Sequence, residues 1–546
     1  MKRVYCFLIA ILLLLKSIYP LQAQSTTEGT DFWVTFGQIA NVLIDSFTVN
    51  EFVFQIRIVG GNVSTSGTIY FTNLGTSIPF DIAAYEIYAY SLDNTEKYAV
   101  YNTVSGGTTN FSIRITTENP VSVFAFAKCS SWCDATNILP VTSLNTEYYA
   151  ISYPPPINYL YDAFTVIATQ NNTLLWHNET PVTLDAGEVY YKTSNNITGD
   201  HITSNKPVAF FAQNRATSIH GSVANLLFQQ LAPVSTWGKT FFVPVTMIGT
   251  EYVRIFALQN NTTISQTGGT IIIGTGGQPI LTLQAGEFVE LEILLNNYGC
   301  YISADKPVGV CSFMKSYDGM GSLGASSQVW IPAIEQTAPN ILMAPFVHPN
   351  LNYHYALVIT STATKNNTKV SIGGAPPVSL SGGVWYDHTG VGKDMSFYEL
   401  PLTNLSASYV FSNPEGIIVL GYGIYGIAGA SASYYYLAGS SMRNLSAAFT
   451  ANDIPYAEMS GHFFQECEIT FASHIEGIHS NPGSLNWYID DELQPHLTDS
   501  LTWTQTFATG TYSIKMTVLF MDGSTQDYEG TLNVQGRWIK IRNVRY

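Results

Sequence analysis

The sequence predicts an all-β protein with a four-fold repeated body followed by an immunoglobulin-like β-sandwich. Three observations lead to this prediction. The 546 residues include 34 Tyr, 29 Phe and 43 Gly, and they show almost no helical periodicity, which favours strands and turns. Short turn motifs recur in the same order along most of the chain. Near the C-terminus, a Cys, a Trp and a Gly-x-Tyr follow one another along alternating segments.

Composition excludes two classes at once. Only 11% of the residues are charged and 46% are hydrophobic, so there is enough apolar surface for a core and charge-driven disorder is excluded. Asp plus Glu outnumber Lys plus Arg by 39 to 23, and the basic residues are scattered. Such an acidic chain is a poor nucleic-acid binder, and we expect no nucleic-acid partner.

Residues 1–23 have the features of a secretory signal peptide. Two basic residues precede an apolar run over residues 4–15, and the small residue Ala23 marks the expected cleavage point. The run is shorter than the ~20 residues that a membrane-spanning helix needs. Loss of the three basic residues in this segment takes the net charge from −16 to −19. We therefore expect an exported mature chain without a transmembrane segment, located at the cell surface or outside the cell.

A proline motif marks the repeats of the body. Its prolines lie 87, 100 and 107 residues apart, and each is followed by an apolar strand. The four copies are Asn119–Val121, Lys206–Val208, Lys306–Val308 and Asn413–Glu415. In the two middle copies a short strand also precedes the proline, so we predict a hairpin with proline in its turn.

Two further motifs repeat in step with the first. Asn-Asn-Thr lies between predicted strands, where two asparagines suit a tight turn, at Asn171–Thr173, Asn260–Thr262 and Asn366–Thr368. A second proline motif leads from one unit into an aromatic strand of the next. Phe32–Phe36 resembles that strand without its lead-in. We predict four units over residues 29–445 and expect Phe32–Phe36 to complete the last unit and close a ring.

Two architectures fit four units of this length. Each unit is long enough for two propeller blades of ~40–50 residues, or for one sandwich of ~100 residues. No linker-like segment separates the units. This favours one closed, propeller-like body, with tandem β-sandwiches as the alternative.

Residues 455–535 predict a separate immunoglobulin-like module. Cys467 is followed by Trp487 and then by Tyr512 in a Gly-x-Tyr motif, the pattern of a buried core Trp and a tyrosine corner. The segment resembles PKD-type extracellular modules. The boundary with the body is expected between Met442 and Pro455.

The cysteines are consistent with an oxidising compartment. Cys129 and Cys133 flank a turn-like segment, and the hairpin expected at Asp305–Pro307 places Cys300 and Cys311 on neighbouring strands. We predict two disulfides, Cys129–Cys133 and Cys300–Cys311. No second Cys or His pair follows the first pair at zinc-finger spacing, so no metal site is expected.

Several segments of the body carry a family resemblance: Gly29–Phe36, Gln230–Lys239, Ser204–Val208 and Asp305–Val308. They resemble the N-terminal domain of the IgGFc-binding protein family, which occurs in secreted mucus proteins and in exported bacterial proteins. With the PKD-like module, the chain resembles surface proteins of the Bacteroidota kind. The resemblance implies an extracellular partner, such as an immunoglobulin or a mucin, but it identifies no binding residue.

The sequence contains no recognisable catalytic motif, neither a Gly-x-Ser-x-Gly elbow nor His-Glu-x-x-His. We expect no enzyme and no cofactor. The loops after the Pro-Val strands hold equivalent places in the four units, so a ring would gather them on one face, and loops on a rigid scaffold carry recognition. The candidate ligand-binding residues in and beside these loops are Trp132, Asp134, His220, Tyr317, Asp318 and Tyr425.

These features predict a non-enzymatic binding or adhesion protein that recognises a host protein or a glycan. The alternative is a carbohydrate-active enzyme or a lectin-like propeller. An enzyme of that kind needs two carboxylates facing each other ~5–10 Å apart. Few Asp or Glu residues fall in the equivalent loops, which favours the binding protein.

Overall fold

The computed structural model confirms the all-β fold. It describes residues 26–39, 48–130, 132–156, 161–273, 280–318, 324–347, 349, 351–388, 394–425, 432–443, 445, 449–452, 454–456, 459, 463–473, 483–519 and 525–536. The predicted signal peptide lies outside the described residues.

Four successive units make up the body. Unit 1 contains β1 (Gly29–Val34), β2 (Phe36–Gly37), β3 (Val53–Gly60), β4 (Thr65–Phe71), β5 (Thr76–Ile82), β6 (Ile87–Ser91), α1 (Asn94–Tyr98), β7 (Tyr101–Asn102), β8 (Gly107–Thr109), β9 (Ile113–Cys129) and β10 (Trp132–Ile138). Unit 2 contains β11 (Asn145–Tyr149), β12 (Asp162–Ala168), β13 (Thr173–His177), β14 (Thr180–Leu184), β15 (Val189–Ser194), β16 (His201–Thr217) and β17 (Asn225–Gln230).

The other two units repeat this series of strands. Unit 3 contains β18 (Thr240–Val243), β19 (Thr250–Ala257), β20 (Thr262–Thr267), β21 (Thr270–Ile273), β22 (Ile280–Leu283), β23 (Phe288–Leu294), β24 (Cys300–Ala304), β25 (Val308–Met314) and β26 (Gln328–Trp330). Unit 4 contains β27 (Ala338–Met343), β28 (Tyr353–Ser361), β29 (Lys369–Ile372), β30 (Val378–Ser379), β31 (Val384–His388), β32 (Met395–Pro401), β33 (Tyr409–Ile424) and β34 (Ser433–Gly439). Short 3₁₀ turns lie at Val49–Glu51, Val141–Ser143, Val234–Thr236, Leu295–Asn297, Ile334–Gln336 and Lys365–Asn367.

Every unit has the same two-sheet topology. In unit 1, the first part of the long strand β9 pairs with β1 and β4, and its second part pairs with β3 and β10. We call these sheet A (β5-β4-β9-β1) and sheet B (β6-β3-β9-β10). The corresponding orders are β14-β13-β16-β11 and β8-β15-β12-β16-β17 in unit 2, β22-β20-β24-β18 and β21-β23-β19-β25-β26 in unit 3, and β30-β29-β33-β27 and β31-β32-β28-β33-β34 in unit 4.

The long strands explain how the two sheets differ. In β9 the residues of sheet A alternate between buried and accessible, whereas the residues of sheet B are buried without interruption from Val121 to Cys129. A strand with one solvated face alternates, and a strand covered on both faces does not. Sheet A therefore faces solvent on one side, and sheet B lies between layers of the protein.

The predicted proline hairpins are wrong. Pro207 lies inside the continuous strand β16, which passes from sheet A to sheet B at this point. In unit 3 the chain breaks at Asp305–Pro307, but β24 and β25 on either side belong to different sheets. Proline lacks an N–H, so it is tolerated where a strand leaves one partner and joins another. The motif marks a change of sheet and not a reversal of the chain.

The predicted role of the N-terminal strand also needs correction. β1 pairs with β9 of its own unit, in the place that β11, β18 and β27 hold in the others. Its likeness to those aromatic strands is thus confirmed, but it does not complete unit 4. The residues just before it make that contact, because Thr27 N donates to Ser440 O at 3.2 Å and Thr26 forms a bridge with Ser441.

The four units are arranged in a ring. The last strands of the units, β10, β17, β26 and β34, contact one another in cyclic order. Units 4 and 1 also share a core, in which the ring of Phe124 meets Tyr436 edge-on at 5.2 Å and Phe126 stacks on Phe346 at 5.0 Å. In units 1, 2 and 4 one long strand joins the two sheets, and in unit 3 the consecutive strands β24 and β25 do so. Each unit is therefore a pair of sheets, which agrees with the sandwich alternative, whereas pairs of propeller blades are not confirmed.

Neither predicted disulfide forms, and the four cysteines are buried thiols. Cys129 and Cys133 lie on paired strands, opposite Trp132 and Lys128 respectively, but they belong to different cores on the two faces of sheet B. Side chains that point to opposite faces of a sheet cannot be bridged. The second prediction fails with the hairpin on which it rested, since Cys300 is in sheet A and Cys311 in sheet B.

The chain after residue 449 has its own sheets and its own core. Its strands are β35 (Phe449–Ala451), β36 (Ile454–Pro455), β37 (Phe463–Phe464), β38 (Glu468–Ser473), β39 (Leu485–Ile489), β40 (Glu492–Leu493), β41 (Thr502–Thr506), β42 (Gly510–Leu519) and β43 (Thr525–Gln535), with a 3₁₀ turn at Pro495–Leu497. They form two sheets, β36-β35-β38-β41 and β37-β43-β42-β39-β40. Trp487 is fully buried between them. The Tyr512 hydroxyl donates to Ala508 O at 3.2 Å, as in a tyrosine corner.

The module boundary remains a prediction with a direct test. A fragment beginning at Leu445 is expected to fold alone, because the aromatic core around Trp487 is made only of residues from 449 onward. Dispersed amide resonances and one cooperative thermal transition are the expected results. Trp487→Ala in the same fragment is expected to abolish that transition, since removing a buried Trp costs about 3–5 kcal/mol. A wild-type fragment with collapsed amide dispersion contradicts the boundary.

Candidate ligand-binding face

In each unit we call the connection between the last two strands of sheet B the tip, and the structure gathers the described parts of the four tips at one end of the ring. The described residues of the tips are 129, 130 and 132 in unit 1, 217–225 in unit 2, 315–318 and 324–327 in unit 3, and 424, 425, 432 and 433 in unit 4. Those of units 2 and 3 are joined by two hydrogen bonds, Ile219 N to Ser316 Oγ at 2.8 Å and Ser316 N to Ile219 O at 2.9 Å. Those of units 1 and 4 meet where Cys133 Sγ donates to Ser433 O at 3.4 Å. We call this surface the tip face.

The floor of the tip face is held together by one asparagine. The Asn225 side chain of unit 2 accepts from Cys133 N at 2.7 Å and donates to Cys133 O at 2.7 Å. The same amide nitrogen lies 2.6 Å from Ser326 O and 3.2 Å from Ser433 O. One fully buried side chain thus contacts all three of the other units. The tips therefore rest on a rigid base.

Asp134 lies on the ring axis, where backbone N–H groups of all four units converge on it. Its Oδ1 accepts from Ala135 at 2.9 Å and from Tyr435 at 3.1 Å, and its Oδ2 accepts from Phe228 at 3.1 Å and from Gln328 at 3.4 Å. Burial raises the pKa of Asp134 well above its ordinary value, while the backbone donors oppose this shift by favouring the charged form. The carboxyl group is fully buried. Asp134 therefore joins the units and its side chain lies below the accessible surface of the tip face, while its role in ligand binding stays a prediction.

His220 is placed on the tip face by a left-handed backbone, with φ of 46°. Its side chain is 36% exposed, and its ring stacks on Tyr252 with centroids 3.9 Å apart. Its Nε2 lies 2.9 Å from Oε1 of the fully buried Glu290. The imidazole is thereby fixed in orientation while one edge stays open to solvent.

Beneath His220 a buried ion pair joins units 2 and 3. Arg254 and Glu290 lie opposite each other on β19 and β23, with Nε 2.8 Å from Oε2, and both are buried. Arg254 Nη1 also donates to Ser152 O of unit 2, and its guanidinium lies 4.1 Å from the centroid of the Tyr153 ring. The buried charge of the Arg254 guanidinium is thus compensated by a carboxylate, a carbonyl oxygen and the face of an aromatic ring. These contacts also hold unit 2 against unit 3.

The same arginine contact occurs between units 4 and 1. Arg57 holds in β3 the position that Arg254 holds in β19, as the register with the long strands shows. Its Nη1 donates to Pro345 O, and its guanidinium lies 5.5 Å from the Phe346 ring. Sequence reasoning missed both residues. The available signal was a single arginine at the centre of an otherwise apolar strand, in Gln-Ile-Arg-Ile-Val and Tyr-Val-Arg-Ile-Phe.

Tyr317 and Asp318 lie beside His220 on the tip of unit 3. Tyr317 O accepts from Ser222 N at 2.9 Å, which ties this loop to that of unit 2. Asp318 Oδ2 lies 2.8 Å from Lys315 Nζ, and both side chains are partly exposed. These residues and His220 place partly exposed aromatic and charged side chains on two neighbouring tips.

Trp132 and Tyr425 occupy the tips of units 1 and 4. Trp132 is half-buried and packs against the main core, and Tyr425 is half-buried with its N–H donating to Ala432 O at 3.0 Å. The structure thus places five of the six predicted residues on the tip face. The sixth, Asp134, lies in its floor.

The part of the chain that the structure describes contains neither a metal cluster nor a membrane-spanning helix. No group of three or more His, Cys, Asp or Glu side chains is arranged to hold a metal ion there. No helix within the same residues is long and apolar enough to cross a membrane.

Fold and site together define a repeat-built β scaffold that presents four loops on one face. The family model described as IgGFc binding protein matches residues 134–423, which is more than half of the chain. The chain belongs to this family. The match begins at Asp134 on the ring axis and ends in β33, so it covers units 2 and 3 and most of unit 4.

Individual relatives are distant. The human IgGFc-binding protein is 24% identical over 219 residues, which is 37% of this chain but only 4% of the human protein. Among solved structures, a Ca²⁺-stabilized adhesin of an Antarctic bacterium covers 79% of this chain and 95% of its own at 10% identity and a TM-score of 0.12. A tetra-tandem repeat of a large adhesion protein covers 76% of this chain and 95% of its own at 10% identity and the same TM-score. At such scores the structural likeness carries no argument.

Proposed function

We propose that this chain is an exported extracellular binding protein whose tip face recognises an extracellular protein. The observation that carries the proposal is the convergence of four loops on a floor closed by Asn225 and Asp134. A face whose base is rigid loses little conformational entropy on binding, which favours affinity. Recognition without catalysis is the activity that this arrangement supports.

The patch across units 2 and 3 fits a protein partner. It combines aromatic rings (His220 on Tyr252, and Tyr317 nearby) with the charges of Asp318 and Lys315. Aromatic anchors within a polar rim are the usual composition of protein-binding surfaces. Family membership supplies the first ligand to test, the Fc part of immunoglobulin G, and a mucin glycoprotein is the second.

The test compares variants of the mature chain by surface plasmon resonance against immobilised Fc and mucin. His220→Ala combined with Tyr317→Ala is expected to weaken binding at least ten-fold, because two anchors on one patch are removed. Tyr70→Ala is the matched control, since Tyr70 is an exposed aromatic in sheet A near the beginning of the long strand, away from the tips. The Tyr70→Ala variant is expected to bind the ligand as tightly as the wild type does.

Two results contradict the proposal. One is unchanged binding by the tip-face variant, and the other is an equal loss in the Tyr70→Ala control. Circular dichroism and thermal melting of each variant establish that a loss of binding is not a loss of folding.

A further inference from the structure

Among the described residues, the outer edge of sheet B is covered by a further strand in three units and is open in the first. In unit 2 the strand β15 pairs with β8, in unit 3 β23 pairs with β21, and in unit 4 β32 pairs with β31. In unit 1 the corresponding strand is β6, and it ends the sheet among the described residues. The edge of unit 2 is covered by a segment of unit 1, since β8 belongs to the connection between β6 and β9. The repeat thus already uses strands brought from outside a unit.

The registers show that β6 and β15 are equivalent. Ile87 of β6 lies opposite Val59 as Val189 of β15 lies opposite Ile167. Both pairs lie one residue from the point where the long strand enters sheet B. In unit 2 this place is occupied by the antiparallel strand Gly107–Thr109.

Three residues of β6 direct their backbone groups away from the sheet. Gly60 N donates to Glu86 O at 2.9 Å, and Leu92 N donates to Phe54 O at 2.9 Å. In an antiparallel ladder such bonds alternate along the strand. The even-numbered residues of β6 therefore bond to β3, and residues 87, 89 and 91 present their N–H and C=O groups outward. Their equivalents in β15 bond to β8 and to the Ser105 side chain, which accepts from Thr193 N at 3.0 Å.

Two common protections against strand pairing, a charged residue and a proline, are absent from β6. β6 reads Ile-Tyr-Ala-Tyr-Ser and contains no charge and no proline, and Ala89 and Ser91 are exposed. Natural edge strands are normally blocked by charged residues or by proline. Exposed carboxylates of Glu86 and Asp93 flank the strand. A second copy of this chain paired antiparallel on β6 would bring these like charges together, which is unfavourable. The flanking charge instead suits a strand with basic ends.

We propose that β6 is a strand-addition site for an extended segment of another polypeptide. The segment pairs antiparallel with β6, as β8 pairs with β15. It carries Gly and β-branched residues at its centre and Lys or Arg near its ends. Main-chain hydrogen bonds to residues 87, 89 and 91 supply the affinity, and Glu86 and Asp93 select the basic ends. The site is separate from the tip face and independent of its ligand.

A peptide derived from β8 tests the site. The probe is a fluorescent peptide with the sequence of residues 104–111, Val-Ser-Gly-Gly-Thr-Thr-Asn-Phe, and a Lys at each end. Saturable binding to the mature chain by fluorescence anisotropy is expected. Ala89→Pro is expected to weaken it at least ten-fold, because proline removes an outward donor without breaking a bond to β3. Ala89→Val keeps that donor and is expected to bind within about two-fold of the wild type. A peptide with Glu ends is expected to bind at least five-fold more weakly.

Hydrogen exchange provides a second readout that does not depend on a variant. In the free protein the amides of residues 87, 89 and 91 are expected to exchange fast, and the amides of Val189 and Tyr191 slowly. Addition of the peptide is expected to slow the exchange of the amides of residues 87, 89 and 91 and to leave that of Val189 and Tyr191 unchanged. The proposal is overturned by slow exchange in the free protein, by absent saturation, or by equal binding to wild type and to a folded Ala89→Pro variant. If Ala89→Pro does not fold, Ser91→Pro takes its place.

Discussion

Replacing Asp134 by alanine is expected to unfold much of the body at temperatures where the wild type is stable. The carboxylate accepts backbone N–H groups of Phe228, Gln328 and Tyr435, each from a different unit. Its removal leaves these donors buried without an acceptor, and each such group costs about 1–3 kcal/mol. The sum is a large part of the ~5–15 kcal/mol that stabilises a typical folded protein. Thermal and urea denaturation of the mature chain measure the effect.

Asp81→Ala is the matched control for this prediction. Asp81 is exposed, and its carboxylate accepts only from a surface hydroxyl, Ser66 Oγ at 2.8 Å, among the described residues. Loss of a surface contact of this kind changes stability by less than about 0.5 kcal/mol. If Asp134→Ala melts within the error of Asp81→Ala, the axial carboxylate does not hold the ring together.

Local signals in the sequence predicted the repeat and much of its turn chemistry. Asn172 and Asn261 adopt left-handed φ values of 54° and 56° at the expected turns between strands. The third copy forms a 3₁₀ turn at Lys365–Asn367. These features depend on a few neighbouring residues, since Asn tolerates the left-handed region better than other residues do. The burial of Trp487 in the core of the C-terminal segment was predictable for the same reason, because it follows from the spacing of a few residues along the sequence.

Features that depend on which strands meet across the ring were not predictable. Pro207 has the local appearance of a turn residue, yet the surrounding sheets carry the chain straight through it. Asp134 has the appearance of a loop residue near a hairpin, and only the packing of four units shows that it is buried. Cys129 and Cys133 are close in sequence, but the alternation of β-strands separates their side chains.

The ring is not fully four-fold, and the arginines show where symmetry is lost. Arg57 in unit 1 and Arg254 in unit 3 have Thr165 and Leu357 as their equivalents in units 2 and 4. The interfaces of units 4–1 and 2–3 therefore contain a buried cation, and the other two do not contain one at this position. Of these two arginines, Arg254 is the one that forms an ion pair with a carboxylate among the described residues, that of Glu290. The two arginine interfaces are thus expected to respond differently to loss of the charge.

Arg254→Met is expected to destabilise the body strongly, because the buried Glu290 loses the guanidinium that pairs with its Oε2 and keeps His220 and the Tyr153 hydroxyl at its Oε1. Breaking a buried ion pair from one side costs about 3–5 kcal/mol. The double variant Arg254→Met with Glu290→Leu removes both charges and is expected to recover most of that loss, since apolar pairs of similar volume replace buried ion pairs well. Chemical denaturation of wild type, both single variants and the double variant gives the coupling energy between the two residues.

Arg57→Met tests whether the carboxylate is the cause. Arg57 donates to Pro345 O and to Gln55 Oε1, so its loss strands two neutral acceptors and no charge. An unpaired carbonyl costs about 1–3 kcal/mol, less than an unpaired buried carboxylate. The destabilisation is therefore expected to be smaller than for Arg254→Met, although both guanidinium groups lie over aromatic rings. Equal losses in the two variants, with no recovery in the double variant, would show that the arginines act by packing alone and that the Arg254–Glu290 charge pair contributes nothing to the ring.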